Sequence, residues 1–293
     1  MPTIARHLLW SSICTSVLVG CSEGPRPTIA DSPEPPQVLA LAPYVAGLQT
    51  LTVRVDGHDE KMIFDTGGGI SMLTVEAARA LGCRPFGRLT GFRNDGTAVQ
   101  VQRCAGRTVE VGSWRGEREV GVFDLMTLLG GAPPIDGLVG LDLFDGRAIT
   151  VDLTGGTLTL ETPASLRARV RGAARLRVRT SRQAGGAGLD LFVAVDAPGG
   201  PIWLEWDIGN TNPVLLSPHA IAQLGLELSR DEPRPVKLQV SGLGPVTLEA
   251  IEHDSIYDGL LNLQFFRGYV FTLDLAKYEL WAKPRAGGGP GGA

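Results

Sequence analysis

The chain has 293 residues, 43% of them hydrophobic and 20% charged, with a formal net charge of -4 and a pI near 5.6. Such a balance gives globular material with apolar residues to spare for a core, and it excludes nucleic acid as the main partner, because phosphate binding needs a marked excess of Lys and Arg. Gly (39) and Pro (20) are frequent, which suits many short strands joined by turns.

The first 21 residues do not read as fold. Arg6 lies in a short polar n-region, Leu8 to Val19 is too short to span a bilayer, and Leu18-Val19-Gly20-Cys21 resembles the lipobox of bacterial lipoproteins. On that pattern Cys21 is lipidated and becomes the mature N-terminus; an ordinary signal peptide is the alternative. Ser22 resembles the outer-membrane sorting pattern, which implies a lipid-anchored body facing the periplasm. Residues 22–43, with Pro25, Pro27, Pro33, Pro35 and Pro36, read as a Pro-rich tether, and 285–293 as a disordered Gly-rich tail. Cys14 leaves with the signal and Cys21 is consumed by lipid. Cys83 and Cys104 then remain, as a possible disulfide in an oxidising compartment or as two separate thiols.

Residues 44–163 read as one lobe. Thr50 to Val55 alternates with period two, Asp56-Gly57 supplies a primed hairpin turn, and Met62-Ile63-Phe64 leads into Asp65-Thr66-Gly67. The run Gly67-Gly68-Gly69 imitates a phosphate cradle, but no Lys follows it and it closes onto a strand. Next come Ser71-Met72-Leu73-Thr74 and a short helical pattern stopped by Gly82. Arg88–Phe92 and Thr97–Gln102 form a second hairpin about Asn94-Asp95-Gly96, Val109–Val122 reads as further strands, and Met126–Pro134 as a loop. The join from Pro163 to Arg182 holds seven arginines, and in Arg175-Leu176-Arg177-Val178-Arg179 their alternation predicts a strand with one wet face. Attraction to anionic envelope lipid is the other reading of that charge.

Residues 164–284 repeat the scheme. Ile202 to Trp206 runs into Asp207-Ile208-Gly209-Asn210, 142 positions after Asp65, followed by Val214-Leu215-Leu216-Ser217, a helical stretch with Pro218 at its first turn, and Gly225. A second block also recurs: Asp136-Gly137-Leu138-Val139-Gly140-Leu141 aligns with Asp258-Gly259-Leu260-Leu261-Asn262-Leu263, and Thr150-Val151-Asp152-Leu153 with Thr272-Leu273-Asp274-Leu275. Two such blocks reflect a duplicated unit. Leu238–Val240 and Val246–Ile251, around Gly242-Leu243-Gly244, read as the counterpart of the first lobe's second hairpin. His58, His219 and His253 show no HExxH or HxxxH spacing and there is no GxSxG or Cys-His arrangement, so neither a metal nor a Ser or Cys nucleophile is indicated.

At these residues the chain resembles the aspartic peptidase family in its bacterial retropepsin-like branch, whose pattern is an apolar strand into Asp-Thr-Gly and, later in the lobe, two hydrophobic residues and a Gly packed beneath the active-site loop. Phe64-Asp65-Thr66-Gly67 with Leu138-Val139-Gly140 carries the resemblance, which covers about residues 45 to 283. It implies a mainly β, two-lobed double-barrel fold with pseudo-twofold symmetry in a monomer. Asp65 and Asp207 would be the catalytic pair, and the hairpin near Phe92 a flap over substrate; a plain surface hairpin with a core-facing Phe is the alternative.

Two carboxylates sharing one proton supply both the base that activates water and the acid that protonates the leaving amine, because like charges side by side cannot both ionise cheaply. They titrate as a pair, so neither is assigned one role. Thr66, Gly67, Gly140, Ile208, Gly209, Asn210 and Asn262 are the expected supports. Family members usually carry a Thr in both tripeptides, each bonding across the axis; Ile208 has no hydroxyl. At the supporting glycine of the second lobe stands Asn262, a residue that tolerates left-handed geometry. The implied function is an aspartic-type endopeptidase acting on peptides or proteins without a cofactor; the alternative is a catalytically impaired, peptide- or protein-binding envelope lipoprotein.

Overall fold

The computed structural model describes residues 35–285. Cys21, expected to be lipidated, the expected signal segment, the proline-rich start of the expected tether and nearly all of the glycine-rich tail lie outside the described residues.

Two closed barrels and one shared sheet make up the fold. In the first lobe the hairpin Gln49–Val55/His58–Phe64 turns on Asp56 and Gly57, both at positive φ (50° and 87°), the primed turn whose twist matches its strands. His58–Phe64 pairs with Gly137–Val139, then come Met72–Leu73, Trp114–Val122 and Ala98–Val111. The last returns to the first strand through Arg54↔Glu110 and Val55↔Val109. Asp190–Val195, Ile202–Glu205, Gly259–Leu260, Val214–Leu216, Gly244–Glu252 and Arg234–Val240 close in the same order, through Val195↔Val240. Closure leaves no free sheet edge within each six-strand ring.

The third sheet joins the lobes. Its order is Gln37–Ala40, Thr157–Leu160, Ala148–Asp152, Tyr269–Asp274, Glu279–Pro284 and Ala174–Leu176. At its centre Thr150 pairs with Thr272, its own repeat mate, and their hydroxyls lie 2.9 Å apart. A residue paired with its own counterpart marks the place where the pseudo-twofold axis crosses the sheet.

The short helices follow their caps. Thr74 accepts from the Ala77 N–H at the start of Val75–Ala80, and Ser217 from the Ala220 N–H at the start of Pro218–Leu224, which Gly225 ends at φ 64°. Beneath the second lobe Trp206, Phe265, Phe266 and Phe271 pack edge to face. Cys83, just past the first helix, is joined to Cys104 by a disulfide.

Several expectations are corrected. From Gln37 the stretch assigned to the tether is strand, paired with Thr157–Leu160 and, at Ala42–Pro43, with Thr50 and Gln49; the cluster of prolines ends at Pro36, and the short apolar segment after it has a partner strand to join. Leu125–Leu128 is a helical turn capped by Asp124 where a loop was expected. The hairpin Arg234–Val240/Gly244–Glu252 does not correspond to that about Asn94. Its second strand lies parallel to Val214–Leu216 as Trp114–Val122 does to Met72–Leu73, so it matches the hairpin turning at 112–113. The hairpin Phe86–Phe92/Ala98 onward thus has no second-lobe copy. In the arginine-rich join, Arg175 pairs with Glu279, and Arg177 and Arg179 lie over the Trp203 ring.

Candidate active site

Each lobe delivers its aspartate the same way. Phe64 and Glu205 end the return strands of the two hairpins, and the strands Gly137–Val139 and Gly259–Leu260 run parallel beside them. Asp136 accepts from the Lys61 N–H and Asp258 from the Trp203 N–H, each at 2.8 Å, so the repeat extends to the struts behind the loops. Asp65 and Asp207 then meet on the axis, each carboxyl lying against the glycine of the opposite loop and close enough to the other to interact with it directly. The Gly67 and Gly209 N–H groups donate to Asp65 Oδ1 (3.0 Å) and Asp207 Oδ1 (2.7 Å). Both glycines are obligatory for space: a Cβ on Gly67 would collide with the Asp207 carboxyl, and one on Gly209 with that of Asp65.

Burial raises both carboxyls above the ordinary range. Asp207 is driven furthest, by burial first and then by the Asp65 charge. For Asp65, bonds from the Asp207 carboxyl and from the Gly67, Gly209 and Gly68 N–H groups oppose burial. One proton shared by the pair is the charge state this asymmetry favours.

The supports differ between lobes. Thr66, fully buried, donates to the Trp206 carbonyl (2.6 Å) and accepts from the Ile208 N–H (3.0 Å), clasping the opposite loop. Ile208 is buried without any hydroxyl to answer it. In the first lobe Ser71 donates to Asp142 Oδ1 (2.7 Å) and accepts from the Gly140 N–H (3.0 Å). The second lobe replaces this with amides: Asn210 Nδ2 donates to the Leu261 carbonyl (3.1 Å) and Asn262 Nδ2 to the Asn212 carbonyl (3.0 Å). Asn262 also caps Leu263–Arg267. Its φ is −131° and that of Gly140 −92°, so neither position is left-handed. Gly140 is needed for room, since a Cβ there would lie 2.8 Å from Asp142 Oδ1.

Above Asp65 opens a cavity of about 280 Å³, walled by Ile70, Met72, Val101, Phe123 and Leu138 and roofed by Gly91, Phe92 and Arg93. Phe92 is 53% exposed and on the cavity's rim, so the hairpin borders the cavity beside Asp65 and its aromatic lies at the cleft rather than in the core. The hairpin also reaches across to the second lobe. The Phe92 N–H donates to Gln183 Oε1 (3.2 Å), and the Ile256 N–H to the Asn94 carbonyl (2.8 Å).

Sequence reasoning passed over four further residues. Asp190 and Glu205 are buried beside the pair, and Gln183 bonds Asp190 and Tyr257. The repeat itself carried the signal, because Leu48 and Ile63 occupy the matching places in the first lobe.

Two carboxyls on the dyad of a double barrel, beside a hairpin, are laid out as the aspartic peptidase-like fold implies. Residues 51–143, within the first lobe, match the family model described as aspartyl protease. Among solved structures it is similar to conglutin gamma, a basic 7S globulin from lupine seeds, at 10% identity and a TM-score of 0.55, covering 86% of this chain and 96% of that one. Basic 7S globulin from soybean is matched at 10% identity and a TM-score of 0.53, over 87% and 96%. At such identity the likeness speaks for the fold alone. No curated protein sequence matches the chain.

Proposed function

We propose that the protein is an aspartic-type endopeptidase that hydrolyses peptide bonds with a water held between Asp65 and Asp207. The observation that carries this is the meeting of two half-buried carboxyls, each packed against the glycine of the opposite Asp-x-Gly loop, beside a hairpin-lined cleft. A pair with one proton can take a proton from water as the oxygen attacks the scissile carbonyl, and return one to the departing nitrogen, with no metal or covalent intermediate. With a peptide seated beneath it, the hairpin would exclude bulk water and strengthen the interactions below. The missing hydroxyl at Ile208 removes on the order of 1 kcal/mol of cross-loop bonding, while the Thr66 clasp holds the same two loops together.

The test is digestion of a mixed peptide pool between acidic and neutral pH. Asp65→Asn and Asp207→Asn should each lower cleavage by at least a hundredfold with unchanged folding by circular dichroism. Full activity in either variant ends the proposal; no cleavage by the unmodified protein, with peptides still retained, supports a binding protein instead. We further propose that the body is tethered to a bacterial envelope membrane through lipid on Cys21. Labelled palmitate should enter the expressed full chain and not its Cys21→Ala variant; equal labelling of the two refutes the anchor.

A further inference from the structure

The pseudo-dyad sets two unlike surfaces against each other across the cleft. In the first lobe Leu48, Ile63 and Ile135 belong to the small apolar cluster, with Ile70, Met72 and Leu138, that backs the cavity beside Asp65. Strand register carries each of the first three to a second-lobe partner. Thr50↔Ile63 becomes Phe192↔Glu205, and Ile63↔Leu138 becomes Glu205↔Leu260. Leu48 therefore maps onto Asp190, Ile63 onto Glu205, and Ile135, just before the strut Asp136, onto Tyr257. Three aliphatic side chains are exchanged for two carboxyls and a phenol.

Among the described residues these acids have no cation beside them. Glu205 is 4% exposed, and no described residue hydrogen-bonds or ion-pairs its carboxyl. Asp190 is fully buried; its Oδ2 accepts from Gln183 Nε2 at 3.0 Å, and its Oδ1 has no partner. That orphaned oxygen lies 3.4 Å from where a Cβ would stand on Gly69, a cleft-lining residue at φ 67° with no side chain to fill the space. Gln183 also lines the cavity, holds the Tyr257 hydroxyl at 2.6 Å and accepts from the Phe92 N–H of the roof. An amide that bonds roof and buried acid together is placed to stand in for something when the roof lifts.

Unpaired buried carboxyls are costly, and the cost is recovered when a counter-charge with N–H donors arrives. A lysine or arginine has an apolar stem to lie along the cleft and a cationic head to reach inward. We propose that the second-lobe side of the cleft is a subsite for a basic side chain adjoining the scissile bond, received by Glu205 and Asp190 as Gln183 turns aside. Glu205 is two residues before Asp207, so this side chain is next to the bond that the pair attacks. The first-lobe cavity, with its aliphatic lining, takes an uncharged side chain on the other side of that bond. Glu205 and Asp190 are thus specificity-determining residues.

This inference rests on the peptidase reading for its position, and the experiment separates the two. Peptides identical except for Lys, Arg or norleucine at each place flanking the cleaved bond are compared by kcat/KM near neutral pH. In the unmodified protein a basic residue at one flank should be favoured at least tenfold over norleucine. Glu205→Gln should bring that ratio close to one, and Asp190→Asn, a second variant should the first misfold, should at least halve it. A ratio near one in the unmodified protein, or one untouched by both substitutions, overturns the subsite. If no peptide is cleaved, the peptidase reading fails, and the dissociation constants of the Lys and norleucine peptides decide the subsite separately. A tenfold preference for Lys that Glu205→Gln removes sustains it, and equal binding overturns it.

Discussion

Thr66 shows how much one hydroxyl decides. Its side chain is fully buried and makes two bonds to the opposite loop, to the Trp206 carbonyl and from the Ile208 N–H. Thr66→Val keeps the shape and removes both, leaving a buried carbonyl and a buried N–H unpaired at roughly 1–3 kcal/mol each. The substitution should lower the melting temperature by several degrees and reduce cleavage with it. A melting curve that superimposes on the unmodified one would show that the clasp contributes nothing. The β-branched but hydroxyl-free Ile208 across the axis makes the contrast available within one molecule: it is held there by packing alone.

At the scale of elements, the second-lobe hairpin Asp190–Val195/Ile202–Glu205 carries an acid at each outer end where its first-lobe counterpart carries Leu48 and Ile63. Burial raises Asp190 to about 6 and Glu205 well above its ordinary range, the latter also through the charges of Asp207, Asp190 and Asp65. Burial likewise raises Asp142, the anchor of Ser71, to about 6. Carboxyls raised in the folded state bind protons more tightly there than in the unfolded chain. Their contribution is complete below the unfolded value near ~4 and is lost as pH climbs through the folded values. Exposed carboxylates lowered by surface arginines, such as Asp59 beside Arg54 and Asp254 beside Arg230, act in the opposite sense but are screened by water. The melting temperature should therefore fall between pH 5 and pH 7.5, and less steeply in Asp190→Asn. A rise over that interval would mean that the buried acids do not govern the balance. Inside the cleft the same protons matter differently, since an incoming cation would do the work that protonation does when the subsite is empty.

For the whole molecule the shared sheet is the decisive feature. Ala148–Asp152 of the first lobe and Tyr269–Asp274 of the second are neighbouring strands, and Gln37–Ala40 and Ala174–Leu176 occupy its two outer positions. Separating the lobes would expose the backbone groups of the central strands and open the Thr150–Thr272 contact, so each half of the shared sheet would be left with a bare edge. Heating should give one calorimetric transition, with calorimetric and van't Hoff enthalpies equal. Two resolved transitions would show that the barrels hold together independently and that the sheet only links them. Since the aspartates come from different lobes, the sheet also fixes the geometry of the pair.

Much of this was legible in the residues. The Asp-x-Gly turns, the Thr74 and Ser217 caps, the Asp56-Gly57 hairpin and the repeated Asp136 and Asp258 blocks are local patterns whose physics acts over a few positions, and duplication exposes them twice. The opposed carboxyls followed from resemblance rather than from spacing, because a contact 142 residues long depends on how two barrels dock. The tether boundary, the lack of a second flap and the extended backbone at Asn262 depended on partners distant in the chain. So did the acid cluster: Asp190 and Glu205 are ordinary strand residues in sequence, 15 positions apart. Only the paired strands bring them under one roof, where burial and the absence of a cation give them their chemistry.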